Sequence, residues 1–180
     1  MKRRRRMRAL EDLLTRAASN DFDQREYALF QLGLILDRSN LEEGDELAAR
    51  ALSREQLRLR LSSGEQEMIA ERLSQFALQL KESRASVIWT MGKVDGVVLL
   101  GPLLALIDAI GEQLSGEAAY QACCALGKCL EKEDGVSAPI RETLGDARLK
   151  TILDRWRQGG DKRLRMTAGR ALALIKQLRL

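Results

Sequence analysis

Leu164-Arg-Met-Thr-Ala168-Gly-Arg-Ala-Leu172-Ala173-Leu-Ile175 aligns without gaps with three earlier segments of the chain. These are Gln24-Arg-Glu-Tyr-Ala28-Leu-Phe-Gln-Leu32-Gly33-Leu-Ile35, Ser83-Arg-Ala-Ser-Val87-Ile-Trp-Thr-Met91-Gly92-Lys-Val94 and Ala118-Ala-Tyr-Gln-Ala122-Cys-Cys-Ala-Leu126-Gly127-Lys-Cys129. The shared frame is x-R-x-x-(A/V)-x-x-x-(L/M)-(G/A)-x-(apolar). Its apolar positions fall four and seven residues apart, which stacks them on one stripe of an α-helix. The small residue that opens the stripe lets another helix come close. A mid-helix glycine costs about 1 kcal/mol relative to alanine, so its recurrence at 33, 92 and 127 predicts a packing reason. Each copy follows another amphipathic segment, at residues 5–18, 65–80, 102–114 and 140–156, with Pro102 and Pro139 placed where helices are expected to begin. The plan is four helix pairs.

Working outward, 180 residues suit one domain with a sizeable core. The apolar content of 45% and charged content of 31% argue against general disorder, and the apolar runs read as too short to span a bilayer. Alanine, leucine, arginine and glutamate dominate over β-branched residues, so the expected class is all-α. The absence of histidine removes the commonest general base and zinc ligand, and with it any Ser/His/Asp apparatus. Cys123, Cys124 and Cys129 sit within seven residues on one expected helix and point in different directions, so they read as reduced packing residues rather than a chelate. Glu42, Glu43, Asp45 and Glu46 cluster before a helix, where acids stabilise the amino end. No cofactor, metal site or catalytic centre is expected. Residues 9–18 interrupt any export signal with Glu11, Asp12 and Arg16, and the expected location is cytoplasmic.

The frame resembles the HEAT repeat family, whose second helix reads approximately V-R-x-x-A-x-x-A-L-G-x-L and whose first carries a proline followed by leucines. The resemblance covers roughly residues 5–38 and 65–180, and it implies a right-handed α-solenoid of about four HEAT-like helix pairs at 9–180, in one domain. Two features depart from the family pattern. Ala119 replaces the frame arginine, and the small residues at 33, 92, 127 and 173 are unevenly spaced. The long first interval holds an additional helical segment near residues 45–61, which is expected to cap, split or bend the array. Arg25, Arg84 and Arg165, with Asp21, Asp23 and Asp161 nearby, resemble the family's structural Asp and Arg ladder.

Solenoids of this kind present their second helices on the concave side. With Ala28, Leu32 and Ile35 inward, the opposite strip carries Glu26, Phe30, Gly33 and Leu34, then Ala85, Trp89, Gly92 and Lys93, then Tyr120, Cys124, Gly127 and Lys128, then Met166, Arg170, Ala173 and Leu174. Phe30, Trp89, Lys93, Tyr120, Lys128 and Arg170 are therefore the candidate groove. A rotation of about 40° would instead put Trp89 and Tyr120 in the core between repeats. Aromatic anchors beside Lys and Arg favour a protein or peptide segment bearing apolar and acidic residues. The expected role is a non-catalytic scaffold or adaptor. The resemblance also implies two alternatives, a HEAT-like DNA glycosylase that binds nucleic acid and a HEAT-like bilin lyase subunit.

The basic balance is the property of one end. The chain carries +4 and residues 1–8 contribute +6 through Lys2, Arg3, Arg4, Arg5, Arg6 and Arg8, so residues 9–180 carry −2. This reads as a flexible basic N-terminal arm, either a solvated, frayed helix start or a tether for nucleic acid or an anionic surface.

Overall fold

The computed structural model describes residues 2–40, 46–131 and 137–178, and side chains within 7–39, 48–131 and 137–178. Among the described residues every regular element is helical. The order is α1 (Lys2–Ala17), α2 (Phe22–Asn40), α3 (Glu46–Ala51), α4 (Ser63–Gln79), α5 (Arg84–Met91), α6 (Gly96–Ile110), α7 (Gly116–Leu130), α8 (Ala138–Gly145), α9 (Ala147–Gln158) and α10 (Lys162–Gln177). Short 3₁₀ turns lie at Gln56–Arg58 and Gly111–Gln113. Helices α1, α4, α6 and α9 each pack on the helix that carries the next copy of the frame, and the frame helices α2, α5, α7 and α10 follow one another side by side.

Three copies of the frame lie wholly within helices, whereas in the second copy α5 ends at Met91, so Gly92 is a helix cap rather than the expected mid-helix glycine and Val94 lies beyond the helix. Ala28, Leu32, Ile35, Val87, Met91, Val94, Ala122, Leu126, Cys129, Ala168 and Ile175 are buried, and Leu172 is half-buried against them. Local signals place the starts. Ser62 and Glu65 form a reciprocal capping box at α4, while the carboxylates of Asp95, Asp146 and Asp161 accept backbone N–H groups at the starts of α6, α9 and α10.

Three other boundaries differ from the sequence expectation. Pro102 lies inside α6 rather than at its start, because the helix begins six residues earlier at the Asp95 cap. An interior proline costs about 3 kcal/mol, but the same helix buries Leu99, Leu100, Leu103, Leu104, Leu106, Ile107 and Ile110, each worth roughly 1.5–3 kcal/mol, so burial wins. The span expected as one helix at 140–156 is two, α8 and α9, broken at Gly145-Asp146 where Asp146 Oδ1 takes the Arg148 N–H at 2.7 Å. The additional segment near 45–61 has α-helix only at Glu46–Ala51. Ser53 and Gln56 then exchange backbone and side-chain hydrogen bonds, a local alternative that stops the helix. Residues 41–45, with Glu42, Glu43 and Asp45, lie outside the described residues.

The tail of this segment lies along α2. Tyr27 and Gln31 donate to the Ala51 carbonyl, Arg38 donates to the Leu57 carbonyl, and the Leu61 N–H donates to Ser39 Oγ. The reading of apolar runs also needs correction: Gly96–Gln113 is, by length and composition alone, apolar enough to cross a membrane. Half of that window is buried within the protein, where α6 packs on α4 and α7.

The frame arginines brace helix ends rather than pairing with the acids expected beside them. Arg25 Nη1 donates to the Ser19 carbonyl at 2.8 Å, Arg84 Nε to the Ala77 carbonyl at 2.8 Å, and Arg165 Nη1 to the Gly159 and Gly160 carbonyls at 3.4 Å. Asp21 and Asp161 are occupied as helix caps, and Asp23 lies in the first turn of α2. The Ala77 carbonyl is one that the last turn of α4 leaves open, whereas those of Ser19, Gly159 and Gly160 lie in the turns just past α1 and α9.

The small-residue positions separate into two kinds. A methyl group built on Gly33 would stand 2.6 Å from Trp89 Cζ3, and one on Gly92 would meet the Trp89 carbonyl at 3.3 Å and Ala125 Cβ at 3.4 Å. One on Gly127 would meet nothing within 4 Å. Gly127→Ala is therefore expected to raise the unfolding free energy by about 0.5–1 kcal/mol, the helix-propensity gain alone. A denaturant titration checks it, and a loss of stability would show that the site is not free.

Candidate functional site

The side-by-side packing of α2, α5, α7 and α10 turns the repeated frame into a row of three hollows. The first, of about 430 Å³, lies between α2, α5 and the start of α7, lined by Leu29, Phe30, Ala85, Trp89, Glu26 and Glu117 among others. The second, of about 340 Å³, shares Trp89 and Gln121 with it and continues to Lys93 and Lys128. The third, of about 390 Å³, lies between α7 and α10 and is lined by Tyr120, Cys124, Lys128, Met166 and Arg170.

All six expected groove residues lie along this row. Phe30 and Trp89 stack with ring centroids 6.3 Å apart and planes inclined by 17°. Both are half-buried, so Trp89 closes the seam between α2 and α5 with one part of its ring and lines the hollows with another. Tyr120 is half-buried as well, with the Arg163 guanidinium 4.8 Å from its ring centroid. Leu34, expected on the open strip, is instead 5% exposed and belongs to the core, because α2 is packed by α1, α3 and α5 together.

The basic members of the row are already engaged. Lys93 Nζ pairs with Asp37 at 2.8 Å and stands 5.0 Å above the Trp89 ring. Lys128 Nζ donates to the Gly92 carbonyl at 2.9 Å, and Arg170 pairs with Glu131 at 2.7 Å. These side chains tie neighbouring helices together across the floor of the row, a role that spacing along one helix does not reveal.

Sequence reasoning placed Glu26 on the strip without assigning it a role, and it passed over Glu117 and Gln121. Glu26 stands one helical turn before Phe30, and its Oε2 accepts the Ser86 hydroxyl from α5. Glu117 accepts from Gln121 Nε2 at 2.7 Å and from Arg163 Nη2 at 3.1 Å. The i, i+4 spacing of Glu117 and Gln121 was a legible signal. The approach of Ser86, sixty residues from Glu26, was not.

Burial, with Cys124 beside it, pushes the Cys123 thiol up to about 12, so it stays protonated and is a poor nucleophile at neutral pH. The Tyr120 hydroxyl is also raised, chiefly by its hydrogen bond with the Cys124 side chain. All three cysteines are free thiols. Among the described residues no three His, Cys, Asp or Glu side chains gather in a way that could hold a metal ion.

A larger hollow of about 820 Å³ lies between α1, α2 and the turn after α3, lined by Arg8, Asp12, Arg16, Gln31 and Gln56. Arg16 there pairs with Asp12 at 3.2 Å and reaches Gln31 at 3.4 Å, so this surface is charged and largely tied to itself. Arg8 is exposed on α1. The backbone of residues 2–8 belongs to α1, and the side chains of Lys2, Arg3, Arg4, Arg5 and Arg6 lie outside the described ones. Protein-family models, curated proteins and solved structures gave no match to this chain.

Proposed function

We propose that the chain is a HEAT-like α-solenoid of four helix pairs, α1–α2, α4–α5, α6–α7 and α9–α10, and that it serves as a non-catalytic module binding an extended protein segment. The successive packing of the frame helices supports the solenoid reading. The observation that carries the binding reading is the row of three adjoining hollows on those same helices, with Phe30, Trp89 and Tyr120 half-exposed along it. Amphipathic aromatic groups that are held in place and partly wet supply much of the energy in protein contacts. Three adjoining hollows on neighbouring helices suit an extended chain better than one compact ligand. A cytoplasmic setting forms part of the proposal and fits three free thiols in one helix.

The test is a peptide-library selection on the full chain, followed by Gln121→Trp. Gln121 lines both the first and second hollows, so an indole there fills the middle of the row. Selected peptides are expected to lose at least about tenfold in affinity, the effect of roughly 1.4 kcal/mol of lost contact. Unchanged affinity would remove the row as the binding surface.

A further inference from the structure

One carboxylate oxygen of Glu26, a residue that lines the first hollow, is unaccounted for. Glu26 Oε2 accepts the Ser86 hydroxyl, whereas Oε1 is withdrawn from solvent and has no hydrogen-bond partner among the described residues. A desolvated carboxylate oxygen without a donor is unfavourable, and buried polar groups in folded proteins are nearly always satisfied. The walls around it are Leu29, Phe30, Ala85 and Trp89, and the other charged group lining the hollow is Glu117, a second carboxylate. Two cations close to its walls hold other partners: Lys93, over the Trp89 ring, pairs with Asp37, and Arg163 pairs with Glu117. The hollow is therefore apolar on its sides and negative at Glu26.

We infer that this hollow receives a basic side chain, arginine or lysine, from the extended segment bound along the row. Its cationic head pairs with the Glu26 carboxylate, which turns Oε1 into the hollow as the segment binds, while its methylene stem lies against Phe30 and Trp89. The long apolar stem and charged tip of these two residues match a site with aromatic walls and a buried acceptor, and a charged donor makes the stronger kind of hydrogen bond to a carboxylate. An acidic segment, which the lysines and arginine of the row suggest from sequence, would meet Lys93 and Arg170 already paired with carboxylates, Lys128 held on the Gly92 carbonyl, and an unpaired carboxylate oxygen of Glu26. The inference rests on the proposed peptide-binding role and specifies the chemistry of its ligand.

The peptides selected on the full chain provide the test. They are expected to carry an arginine or lysine whose replacement by citrulline or norleucine, respectively, lowers affinity at least tenfold. Glu26→Gln, which removes the charge and keeps the shape, is expected to lower affinity by a similar factor and to make no difference to the substituted peptide. Replacing the peptide residue leaves the protein untouched, so that arm stands even if a Glu26 variant folds poorly. Peptides that are weakened by Gln121→Trp but lack a basic requirement, or that bind Glu26→Gln equally well, would overturn the inference and leave the peptide-binding role intact. Peptides indifferent to Gln121→Trp, or a selection that returns none, would overturn both.

Discussion

Arg25→Met is expected to lower the unfolding free energy by about 3 kcal/mol. The Arg25 side chain is 6% exposed. Its Nε donates to Ser83 Oγ at 2.6 Å, its Nη1 to the Ser19 carbonyl at 2.8 Å, and its Nη2 faces Glu82 at 3.8 Å. It therefore joins the loop of the first helix pair to the loop of the second, across fifty-eight residues of sequence. Hydrogen bonds to a charged group are worth about 1.5–3 kcal/mol each, and methionine fills the volume while leaving the buried Ser83 hydroxyl without its donor. For a chain of this length the loss corresponds to a melting temperature lower by roughly 6–12 °C. Arg165, which holds the same frame position in the last copy, is exposed and reaches its carbonyls only at 3.4 Å. Arg165→Met is expected to change stability by less than about 0.5 kcal/mol. Equal effects of the two substitutions would show that Arg25 is not a joint between pairs.

Trp89→Ala is the second large effect, again about 3 kcal/mol, toward the lower end for a tryptophan truncation because the side chain is only half-buried. What is lost is the stack on Phe30, the cover over Gly33 and the ring beneath Lys93. A double-mutant cycle separates this packing from a general loss of structure. Alone, Gly33→Ala is expected to destabilise, because the new methyl stands 2.6 Å from the Trp89 ring and the ring or the helix must move. In the Trp89→Ala background the obstruction is gone, and the same change is expected to stabilise by up to about 1 kcal/mol through helix propensity. The sign reversal is the signature, readable by urea denaturation of the four proteins. The same sign in both backgrounds would contradict the packing of Trp89 on Gly33.

The helical class and the buried stripe of each frame were legible because both depend on residues three to seven apart, which one helix brings together on its own. Ala28, Leu32 and Ile35 needed no knowledge of the rest of the chain. The glycines were legible in kind but not in cause. A single pattern at 33, 92 and 127 covers a contact with a tryptophan ring, a contact with backbone and an open site. Charge was the least legible. Lys93, Lys128 and Arg170 stand on the expected strip, yet their partners Asp37, the Gly92 carbonyl and Glu131 come from other elements, so two of the three charges are paired with carboxylates and the third is held on a backbone carbonyl. Glu26 is the reverse case: a carboxylate that reads as solvated in a helix has one oxygen covered when α5 closes over it. Helix ends fell between these limits. The single helix expected at 140–156 passed over the Gly145-Asp146 break, and Pro102 misled because a local preference was outweighed by the burial of a whole helix.

The central claim is that the surface formed by α2, α5, α7 and α10 is where a partner segment lies. The affinity of a library-selected peptide for three proteins, the parent chain, Gln121→Trp and Val97→Trp, tests it most directly. Val97 is 55% exposed on α6, which is not one of the four frame helices, so an indole there controls for the added bulk. At least a tenfold loss is expected with Gln121→Trp and parent affinity with Val97→Trp, with all three proteins folded by circular dichroism. Equal affinities for the parent and Gln121→Trp, or a loss confined to Val97→Trp, would contradict it.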